Sequence, residues 1–531
     1  MSASVISEGR AVLGIELGST RIKACLIGDD PSEVLAVGAH EWENAFVERM
    51  WTYGLDDVRT GLQAAFAALA ADVQARHGVR LERLAGIGVS AMMHGYLAFD
   101  ETSELLVPFR TWRNTTTGAA SAELTELLGT NIPLRWSIAH LHQAVLDGEE
   151  HVARIRSFTT LAGYVHRLLT GRDVLGVGDA SGMFPIDSAT RDWDAELVER
   201  YDAHAAGRVP ALRELLPEVL VAGEAAGELT AEGAAYLDPS GTLQPGAIAA
   251  PPEGDAGTGM VATASVAPRT GNVSAGTSIF AMVVLEQPFT GVHHEIDLVT
   301  TPSGDAVAMV HCNNGASELA AWAGLLGRFA AAAGHPIEPD AVYEALFTEA
   351  LTGDADAGGL LAYNHLAGEP IAGTDEGRPL FVRTPDSSLT LGNFGRAQLY
   401  GVFGTLALGL RVLAKQGVEI ERMLAHGGMF RTAGVAQRFL AGALDAPVAV
   451  AATASEGGAW GIAVLAAFAV RQHDAGADHG TDLDAYLQDV VFADAAFETA
   501  DPEPADVAGF ASYLDRYRDG LAVERAAVEA L

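Results

Sequence analysis

The stretch GIELGSTRIK, residues 14–23, decides how this chain folds. A short apolar run leads into a Gly-Ser-Thr turn, and another apolar run begins directly after it. This pattern predicts two strands joined by a tight hairpin. The stretch GNVSAGTSIF, residues 271–280, repeats it with a Gly-Thr-Ser turn. Because the two stretches open the two halves of the chain, the sequence predicts one structural unit that occurs twice.

The two turns share a chemistry that suits phosphate groups. Each offers unhindered backbone N–H groups together with side-chain hydroxyls, and such concavities bind anions. A single turn of this kind is more often only a hairpin, whereas two turns facing each other across a cleft could hold the phosphates of a nucleotide from both sides. The expected phosphate-binding residues are Gly18, Ser19, Thr20 and Lys23 in the first turn and Gly276, Thr277 and Ser278 in the second.

The length of the chain predicts more than one domain. It has 531 residues, of which 49% are hydrophobic, and a mean hydropathy of +0.18. A single hydrophobic core rarely extends over so many residues, so we expect two large domains. A Pro/Gly-rich tract at residues 238–259 precedes the second hairpin. We place the boundary just after this tract, which gives an N-terminal lobe, 1–268, and a C-terminal lobe, 269–531.

The charge of the chain argues against nucleic acid and anionic membranes as partners. Lys and Arg number 33 against 69 Asp and Glu, a net charge of −36, and such a chain repels polyanions unless a basic patch intervenes. The cysteines, Cys25 and Cys312, lie in apolar contexts and fit reduced intracellular thiols. The start of the chain is polar, and the most lipid-like run, residues 459–470, is shorter than a membrane helix and is predicted to be a buried helix. We therefore expect a cytoplasmic protein.

Apolar periodicity predicts alternating helices and strands, and hence an α/β fold. In the first half we predict helices over 61–75, 119–128 and 141–155, a buried strand over 84–89, and a loop with short strands over 174–193. In the second half we predict a strand over 306–310, helices over 316–333, 397–415, 434–444 and 507–531, a strand over 423–426, and an irregular acidic segment over 472–504.

A candidate catalytic carboxylate lies in PPEGDAGTGM, residues 251–260, where small residues flank Asp255. Small neighbours let a ligand approach the carboxylate, and a helix starting at Ala256 would direct its positive end to the same place. A plain turn or helix-capping role is the alternative, because Gly-Asp is a common turn dipeptide.

Two further segments are candidates for binding a polar ligand. The strand before SAMMHGY places Met93 and His94 at its carboxyl end, where α/β folds bind ligands. The segment TWRN supplies an aromatic face and polar donors suited to a sugar, from Trp112, Arg113 and Asn114. A structural histidine and a core tryptophan are the alternatives.

Seven segments, in their order along the chain, resemble the FGGY carbohydrate kinases of the actin-like, sugar-kinase and heat-shock ATPase superfamily. They are GIELGSTRIK, MMHG, TWRN, GDAGTG, SAGTS, AHGGMF and EGGAWG, and they span residues 14–461. The resemblance implies two actin-like (ribonuclease H-like) α/β domains with a cleft between them. Within the family, the triplet Met93-His94-Gly95 is most similar to the D-xylulose kinases, in which Met-His contacts the ketose.

The resemblance also implies roles for the matching residues. Asp255 would be the general base, and Gly427 and Gly428 would form the adenosine turn, with Gly457 at the start of the neighbouring helix. ATP would be the phosphate donor. Mg²⁺ would be held mostly by phosphate oxygens and water, with Glu16 or Asp255 reaching it through water. A buried strand-end carboxylate is the alternative for Glu16.

The chain departs from the family pattern at three places. Glu16 stands where the family usually has Asp, Arg113-Asn114 stands where it has Asn-Asp, and the stretch at 369–379 lacks a Pro-His pair that many members have. The first departure changes a carboxylate expected near the Mg²⁺ ion. The second removes a carboxylate from the expected sugar-binding segment and adds a cation to it.

The sequence thus predicts an ATP-dependent kinase of a ketopentose, most similar to those that form D-xylulose 5-phosphate. The alternatives are a kinase of another ketose or polyol, such as L-ribulose or L-xylulose, and an actin-like ATPase without a small-molecule acceptor. A homodimer is an open expectation, since many relatives form one.

Overall fold

The computed structural model of the protein describes residues 2–431, 434–451, 457–476 and 482–531. Two mixed sheets, one built from each half of the chain, organise the fold, and helices cover their faces.

The first half contains ten helices in the described residues and a sheet of six strands. Its strands are β1 Val12–Leu17, β2 Arg21–Ile27, β3 Val34–Glu41, β4 Ala45–Val47, β5 Met50–Thr52, β6 Gly86–Ala91, β7 Leu97–Phe99, β8 Ser157–Thr159, β9 Val174–Gly176, β10 Ile186–Asp187, β11 Asp192–Trp193, β12 Glu218–Leu220, β13 Ile248–Ala249 and β14 Glu253–Gly254. Its helices are α1 Ser2–Ser7, α2 Leu55–His77, α3 Gly118–Leu128, α4 Ser137–Leu146, α5 Leu161–Thr170, α6 Val177–Ala180, α7 Ala195–Ala205, α8 Leu212–Leu215, α9 Ala231–Leu237 and α10 Asp255–Ala262.

The second half is built around a sheet of seven strands. Its strands are β15 Thr270–Ala275, β16 Ile279–Val284, β17 Asp297–Thr300, β18 Ala306–Cys312, β19 Leu361–Tyr363, β20 Leu380–Val382, β21 Arg422–His426, β22 Val448–Ala451 and β23 Phe497–Ala500. Its helices are α11 Ser317–Ala332, α12 Pro339–Ala350, α13 Leu391–Lys415, α14 Val435–Leu444, α15 Gly457–Ala475, α16 Leu483–Tyr486 and α17 Pro504–Ala530.

The two sheets repeat one strand order. In the first, the order is β3-β2-β1-β6-β13, with β1 antiparallel to β2 and parallel to β6. In the second, β18-β16-β15-β21-β22 follows the same order with the same directions, extended by β17 and β23 at its edges. Both predicted hairpins are therefore confirmed, as is the duplication of the unit. The two glycine turns that carry side-chain hydroxyls, residues 18–20 and 276–278, are called the hydroxyl turns below. The first lies at the end of β1 and the second at the end of β15, the strands that pair in parallel with β6 and β21.

Helix α15, from the end of the second half, packs on the sheet of the first half. It contacts β1, β2 and β6. Gly14 on β1 and Gly88 on β6 permit this approach, since a Cβ on Gly14 would overlap the Ala459 carbonyl and one on Gly88 would lie 2.7 Å from Ile462 atoms. The buried face of α15 consequently completes the core beside β1. The domain boundary at residue 268 stays a prediction.

Several predicted elements differ from the structure in their bounds. The helix predicted from residue 397 begins at Leu391, after the capping residue Thr390, whose side chain accepts a hydrogen bond from the Asn393 N–H. The helix predicted over 141–155 ends at Leu146 and is followed by a short 3₁₀ turn at Glu150–Ala153, because Gly148 adopts a left-handed conformation.

One prediction for the second half was wrong, and another was confirmed. The acidic segment 472–504 is not irregular throughout, because β23 forms the edge strand of the second sheet beside β22; part of this segment, residues 477–481, lies outside the described residues. The run at 459–470 lies in a buried helix, α15, as predicted. Within the described residues one helix is long and apolar enough to cross a membrane, α13, and 78% of its apolar window is buried inside the protein.

Candidate active site

Two aromatic residues hold the first hydroxyl turn from behind. The indole N–H of Trp42 donates to the Gly18 carbonyl at 2.7 Å, and the hydroxyl of Tyr53 donates to the Ser19 carbonyl at 2.7 Å. The two rings stack with their centroids 4.2 Å apart. Because the carbonyls of the turn are held in this way, its peptide planes, and with them its backbone N–H groups, are oriented at the end of β1.

A neighbouring loop fixes the second hydroxyl turn. The Gly276 N–H donates to the Ser278 carbonyl at 2.9 Å and closes the turn. The N–H groups of Gly315 and Ala316 donate to the carbonyls of Thr277 and Gly276 at 2.7 and 2.8 Å. A Cβ on Gly315 would overlap the Gly276 carbonyl oxygen, so this close approach requires glycine.

The Gly-Gly turn after β21 lies beside the second hydroxyl turn. Gly427 has a φ of +119°, and a Cβ at this position would overlap the Ala275 carbonyl oxygen. A Cβ on Gly428 would have no atom within 4 Å, so open space adjoins its backbone. The predicted adenosine turn and the predicted second phosphate turn are thus brought together at the carboxyl ends of β15 and β21.

Glu16 lies at the end of β1 between Lys23 and the start of α15. Its Oε2 is 3.6 Å from the Lys23 Nζ. A Cβ on Gly458 would lie 2.5 Å from Glu16 Oε1 and 3.0 Å from the Thr258 hydroxyl oxygen. The lack of a side chain at Gly458 therefore lets this carboxylate reach the first turn of α15. The preceding residue, Gly457, has a φ of +55° and begins that helix, as predicted.

Asp255 is the first residue of α10, one position before the predicted helix start. Its Oδ1 accepts a hydrogen bond from the Met93 N–H at 3.1 Å. Met93 follows β6, and a Cβ on Gly254 would lie 2.8 Å from the Met93 Cγ, so a small residue is needed before Asp255. The carboxylate is therefore held at a helix N-terminus beside the carboxyl ends of β1 and β6.

The surroundings of Asp255 make it a better proton acceptor than an ordinary aspartate. The side chain is solvent-accessible, yet the protein around it excludes enough water to raise its pKa to about 6. The charge of Glu16 acts in the same direction, while the N–H of Met93 lowers the pKa. A carboxylate with a pKa near 6 is largely ionised at neutral pH and is suited to general-base catalysis.

Two buried acids lie behind Asp255. Glu253 and Asp179 are almost completely buried, and burial raises the pKa of Asp179 to about 7 and that of Glu253 well above its ordinary value. The Asp179 Oδ2 accepts a hydrogen bond from the Thr160 hydroxyl at 2.6 Å, and the Glu253 Oε1 accepts one from the Gly178 N–H at 3.3 Å. A neutral Glu253 avoids a second negative charge two residues from Asp255.

His94 links the first lobe to the sheet of the second. Its Nδ1 lies 3.1 Å from the Gly182 carbonyl oxygen, and its Nε2 accepts a hydrogen bond from the Arg135 Nε at 3.1 Å. Arg135 also forms an ion pair with Asp297 on β17. Burial and the Arg135 charge hold the pKa of His94 well below its ordinary value, so the ring is neutral. With Nδ1 protonated, both ring nitrogens have partners within the protein.

The TWRN segment lies against the small hairpin of β4 and β5. The Asn114 amide accepts a hydrogen bond from the Trp51 N–H at 2.8 Å and donates to the carbonyls of Trp51 and Thr111 at 2.9 and 3.1 Å. The Arg113 guanidinium lies 4.4 Å from the centre of the Trp51 ring, and Trp112 is 36% exposed. The buried amide of Asn114 thus holds the hairpin, while Trp112 and Arg113 offer surface to a ligand.

Three residues that surround this site were not predicted from the sequence. Glu253 lies two residues before Asp255 in a segment already singled out, and Asp179 lies in a Gly-Asp dipeptide like the one at 254–255, so both carried a usable signal. Arg135 lies between apolar residues, and no local pattern indicates its contacts with His94 and Asp297.

Comparison with known proteins places the whole chain among sugar kinases in fold. A crystal structure of xylulose kinase from Rhodospirillum rubrum superposes with a TM-score of 0.76, is 22% identical, and covers 97% of this chain and 99% of its own. A gluconate kinase structure from Lactobacillus acidophilus superposes equally well, with a TM-score of 0.76 and 17% identity over 96% of this chain and 98% of its own. These likenesses confirm the predicted fold of two actin-like α/β domains.

Sequence comparison is more specific about the family. Xylulose kinase from Lactococcus lactis is 23% identical over 237 residues, which are 42% of this chain and 43% of that protein. The chain spans about half the length of the curated relatives it matches. The models of the N-terminal and C-terminal domains of the FGGY family of carbohydrate kinases match residues 11–240 and 271–470. The chain therefore belongs to the FGGY family of carbohydrate kinases.

Proposed function

We propose that the protein transfers the γ-phosphate of ATP to a ketopentose, D-xylulose, and forms D-xylulose 5-phosphate. The observation that carries this proposal is the position of Asp255. It is a solvent-accessible carboxylate, fixed by the Met93 N–H at the start of α10, with a pKa raised to about 6. Phosphoryl transfer from ATP to a sugar hydroxyl is assisted by a proton acceptor of this kind beside that hydroxyl.

In the proposed reaction, Asp255 takes the proton of the sugar hydroxyl while the hydroxyl oxygen forms a bond to the γ-phosphorus. The bond between the γ-phosphorus and the bridging oxygen breaks, and ADP leaves with that oxygen. Most of the catalysis then comes from alignment and charge neutralisation, because phosphoryl transfer needs little covalent help from the protein.

The nucleotide side of the site uses backbone groups. The N–H groups of Gly18 and Gly276 close their turns by donating to the Arg21 and Ser278 carbonyls, so the N–H groups at 19–20 and 277–278 and the side-chain hydroxyls are the ones offered to the phosphates. Open space beside Gly428 admits the adenosine. The carbonyls of both turns are held by protein donors, so their N–H groups are already oriented. Preorganised donors of this kind stabilise developing charge without reorganisation.

A magnesium ion fits the carboxylates at this position. Glu16 and Asp255 are close enough for each charge to affect the other, and carboxylate oxygens are ligands that Mg²⁺ prefers. Bound with the nucleotide, Mg²⁺ would neutralise charge on the phosphate oxygens. Lys23, paired with Glu16 at 3.6 Å, adds a second cation to this side.

The alternative of an L-ribulose or L-xylulose kinase depends on Arg113 and Asn114. Both side chains contact Trp51, and the Asn114 amide is buried and bonded to backbone groups. The assignment of D-xylulose depends instead on the resemblance of the Met93-His94-Gly95 triplet to the D-xylulose kinases. In the structure the Met93 N–H bonds Asp255 and the His94 ring bonds Arg135.

A coupled assay of ADP release tests the proposal. Purified protein is assayed with ATP and Mg²⁺ against D-xylulose, L-xylulose, L-ribulose, xylitol, glycerol and gluconate, with Asp255→Asn as the inactive control. We expect the kcat/KM for D-xylulose to exceed each of the others by at least about tenfold, since a site built to bond a given hydroxyl rejects analogues that lack it. Phosphorus NMR of the product identifies the phosphorylated carbon.

Two results would contradict the proposal in different ways. Preference for another acceptor would keep the kinase chemistry and replace the substrate. ATP hydrolysis that no acceptor stimulates would favour the actin-like ATPase instead.

A further inference from the structure

Three helices of the first lobe direct a carboxylate and two imidazoles towards one point. Glu123 lies on α3, His142 on α4 and His204 in the last turn of α7. The Glu123 Oε1 is 2.6 Å from the His204 Nε2 and 3.3 Å from the His142 Nε2, and the three ligand atoms all lie within 4.8 Å of one another. None of these residues belongs to the candidate active site.

His142 gives the cluster its significance. Its side chain is fully buried, and neither ring nitrogen makes a hydrogen bond of good geometry with any residue that the structure describes. Buried imidazole nitrogens are ordinarily hydrogen-bonded or bound to a metal. The Tyr201 ring packs edge-on against the His142 ring, with centroids 5.6 Å apart, and fixes its orientation.

We propose that Glu123, His142 and His204 bind a divalent transition-metal ion, of which Zn²⁺ is the best match. Zn²⁺ binds imidazole nitrogen at about 2.0–2.1 Å and carboxylate oxygen at about 2.0–2.2 Å in tetrahedral geometry. Ligand atoms around such an ion lie about 3.4 Å apart, within the spread seen here. Two imidazoles argue against Mg²⁺ and Ca²⁺, which prefer oxygen ligands.

The remaining coordination position faces solvent. Glu123 and His204 are partly exposed, at 38% and 32% of their side-chain surface, whereas His142 is buried. A water molecule therefore completes the coordination from the outer side. Three protein ligands on three separate helices make this site a clamp between α3, α4 and α7.

The clamp would also steady the interface between the lobes. Helix α4 begins at Ser137, two residues after Arg135, and Arg135 bonds both His94 and Asp297. Metal binding to α4 restricts the motion of this helix and so of the arginine that precedes it.

The test is a titration of the metal-free protein with ZnCl₂. The full chain is treated with EDTA, dialysed and followed by calorimetry and thermal unfolding. We expect one equivalent of Zn²⁺ to bind and the Tm to rise by about 2–5 °C, with no rise in the same concentration of Mg²⁺. Co²⁺ should give the intense visible bands of a four-coordinate ion.

Variants assign the binding to these residues. Because His142 is buried and its replacement could disturb folding, the variants are His204→Gln and Glu123→Gln. Each should unfold in EDTA within about 2 °C of the wild type and bind Zn²⁺ at least about tenfold more weakly. The matched control is His473→Gln, which removes an exposed histidine beside a carboxylate and should leave the titration unchanged.

Three results would overturn the proposal. They are the absence of a stoichiometric Zn²⁺ site in the wild type, equal Zn²⁺ affinity in the wild type and His204→Gln, and equal loss of binding in the His473→Gln control. In the first two cases the cluster is a hydrogen-bonded contact between His204 and Glu123, and in the third the metal binds histidines of the surface.

Discussion

Replacing Asp255 with asparagine separates its catalytic role from its structural one. The change keeps the shape of the side chain and an oxygen that can accept the Met93 N–H, so the fold should persist. It removes the negative charge and the proton acceptor. We expect kcat to fall by about 10²–10⁴-fold, the usual contribution of a general base, while the KM for the sugar changes much less.

The activity of the wild type should depend on pH through the ionisation of Asp255. The pKa of Asp255 is raised to about 6, and a base acts only when deprotonated. The kcat/KM of the wild type should therefore be nearly constant above pH 7 and fall by about tenfold for each pH unit below 6. The residual activity of Asp255→Asn should lack this limb.

As the pH rises, the contribution of Asp255 to the free energy of unfolding should decrease while the activity increases. The pKa of Asp255 in the folded protein, about 6, exceeds its ordinary value of 3.8, so the folded state binds this proton more tightly than the unfolded chain does. The stabilisation that protonated Asp255 contributes to the folded state is complete below pH 4 and is lost as the pH rises through 6. A full difference of about two pKa units equals about 3 kcal/mol, and because water reaches the side chain the expected gain of Asp255→Asn at pH 8 is about 1 kcal/mol.

The assays are steady-state kinetics from pH 5 to 9 and denaturant unfolding at pH 4.5 and 8. Asp192→Asn is the control, because it removes the same charge from an exposed position on β11. Turnover of Asp255→Asn within about threefold of the wild type would refute its role as the base. A control variant that gained as much stability at pH 8 would trace the gain to net charge alone.

Three further predictions concern the surrounding residues. Glu16→Gln should raise the Mg²⁺ concentration for half-maximal turnover several-fold, with Glu16→Asp closer to the wild type; an unchanged Mg²⁺ midpoint in Glu16→Gln would exclude a role on the metal side. His94→Ala should raise the KM for the sugar more than the KM for ATP in steady-state assays, and equal increases would mark a purely structural histidine. Gly427→Ala should lower the free energy of unfolding by about 2 kcal/mol or more, because φ is +119° and the Cβ would overlap the Ala275 carbonyl; Gly428→Ala, which has open space, is the matched control, and equal denaturant midpoints for both variants would contradict the steric argument.

Local patterns were enough to predict the two hairpins and, to within one residue, the start of α10. The apolar runs around residues 14–23 and 271–280 and their glycine turns depend on neighbours in sequence, and the structure confirms both strand pairs. The small residues around Asp255 likewise indicated a close approach, which the Met93 N–H makes.

Contacts between distant residues could not be predicted in the same way. Arg135 bonds His94, 41 residues before it, and Asp297, 162 residues after it. The local pattern of apolar residues does not indicate contacts between residues so far apart in the chain. The edge strand β23 was missed because its sequence, FETA, is short and half polar. An edge strand needs only one paired side, so it tolerates residues that a central strand would not.

The packing of α15 on the first sheet has a consequence for folding during synthesis on the ribosome. The strands β1 and β6 are complete once residue 91 has been synthesised, but the helix that covers them ends at Ala475. At about 5–20 residues per second, a ribosome needs roughly 20–80 s to reach that point. During this interval the faces of Gly14 and Gly88 lie open as an apolar surface on the nascent protein. A fragment ending at residue 268 should therefore aggregate when produced alone, and a separately synthesised fragment 269–531 should rescue it by supplying α15.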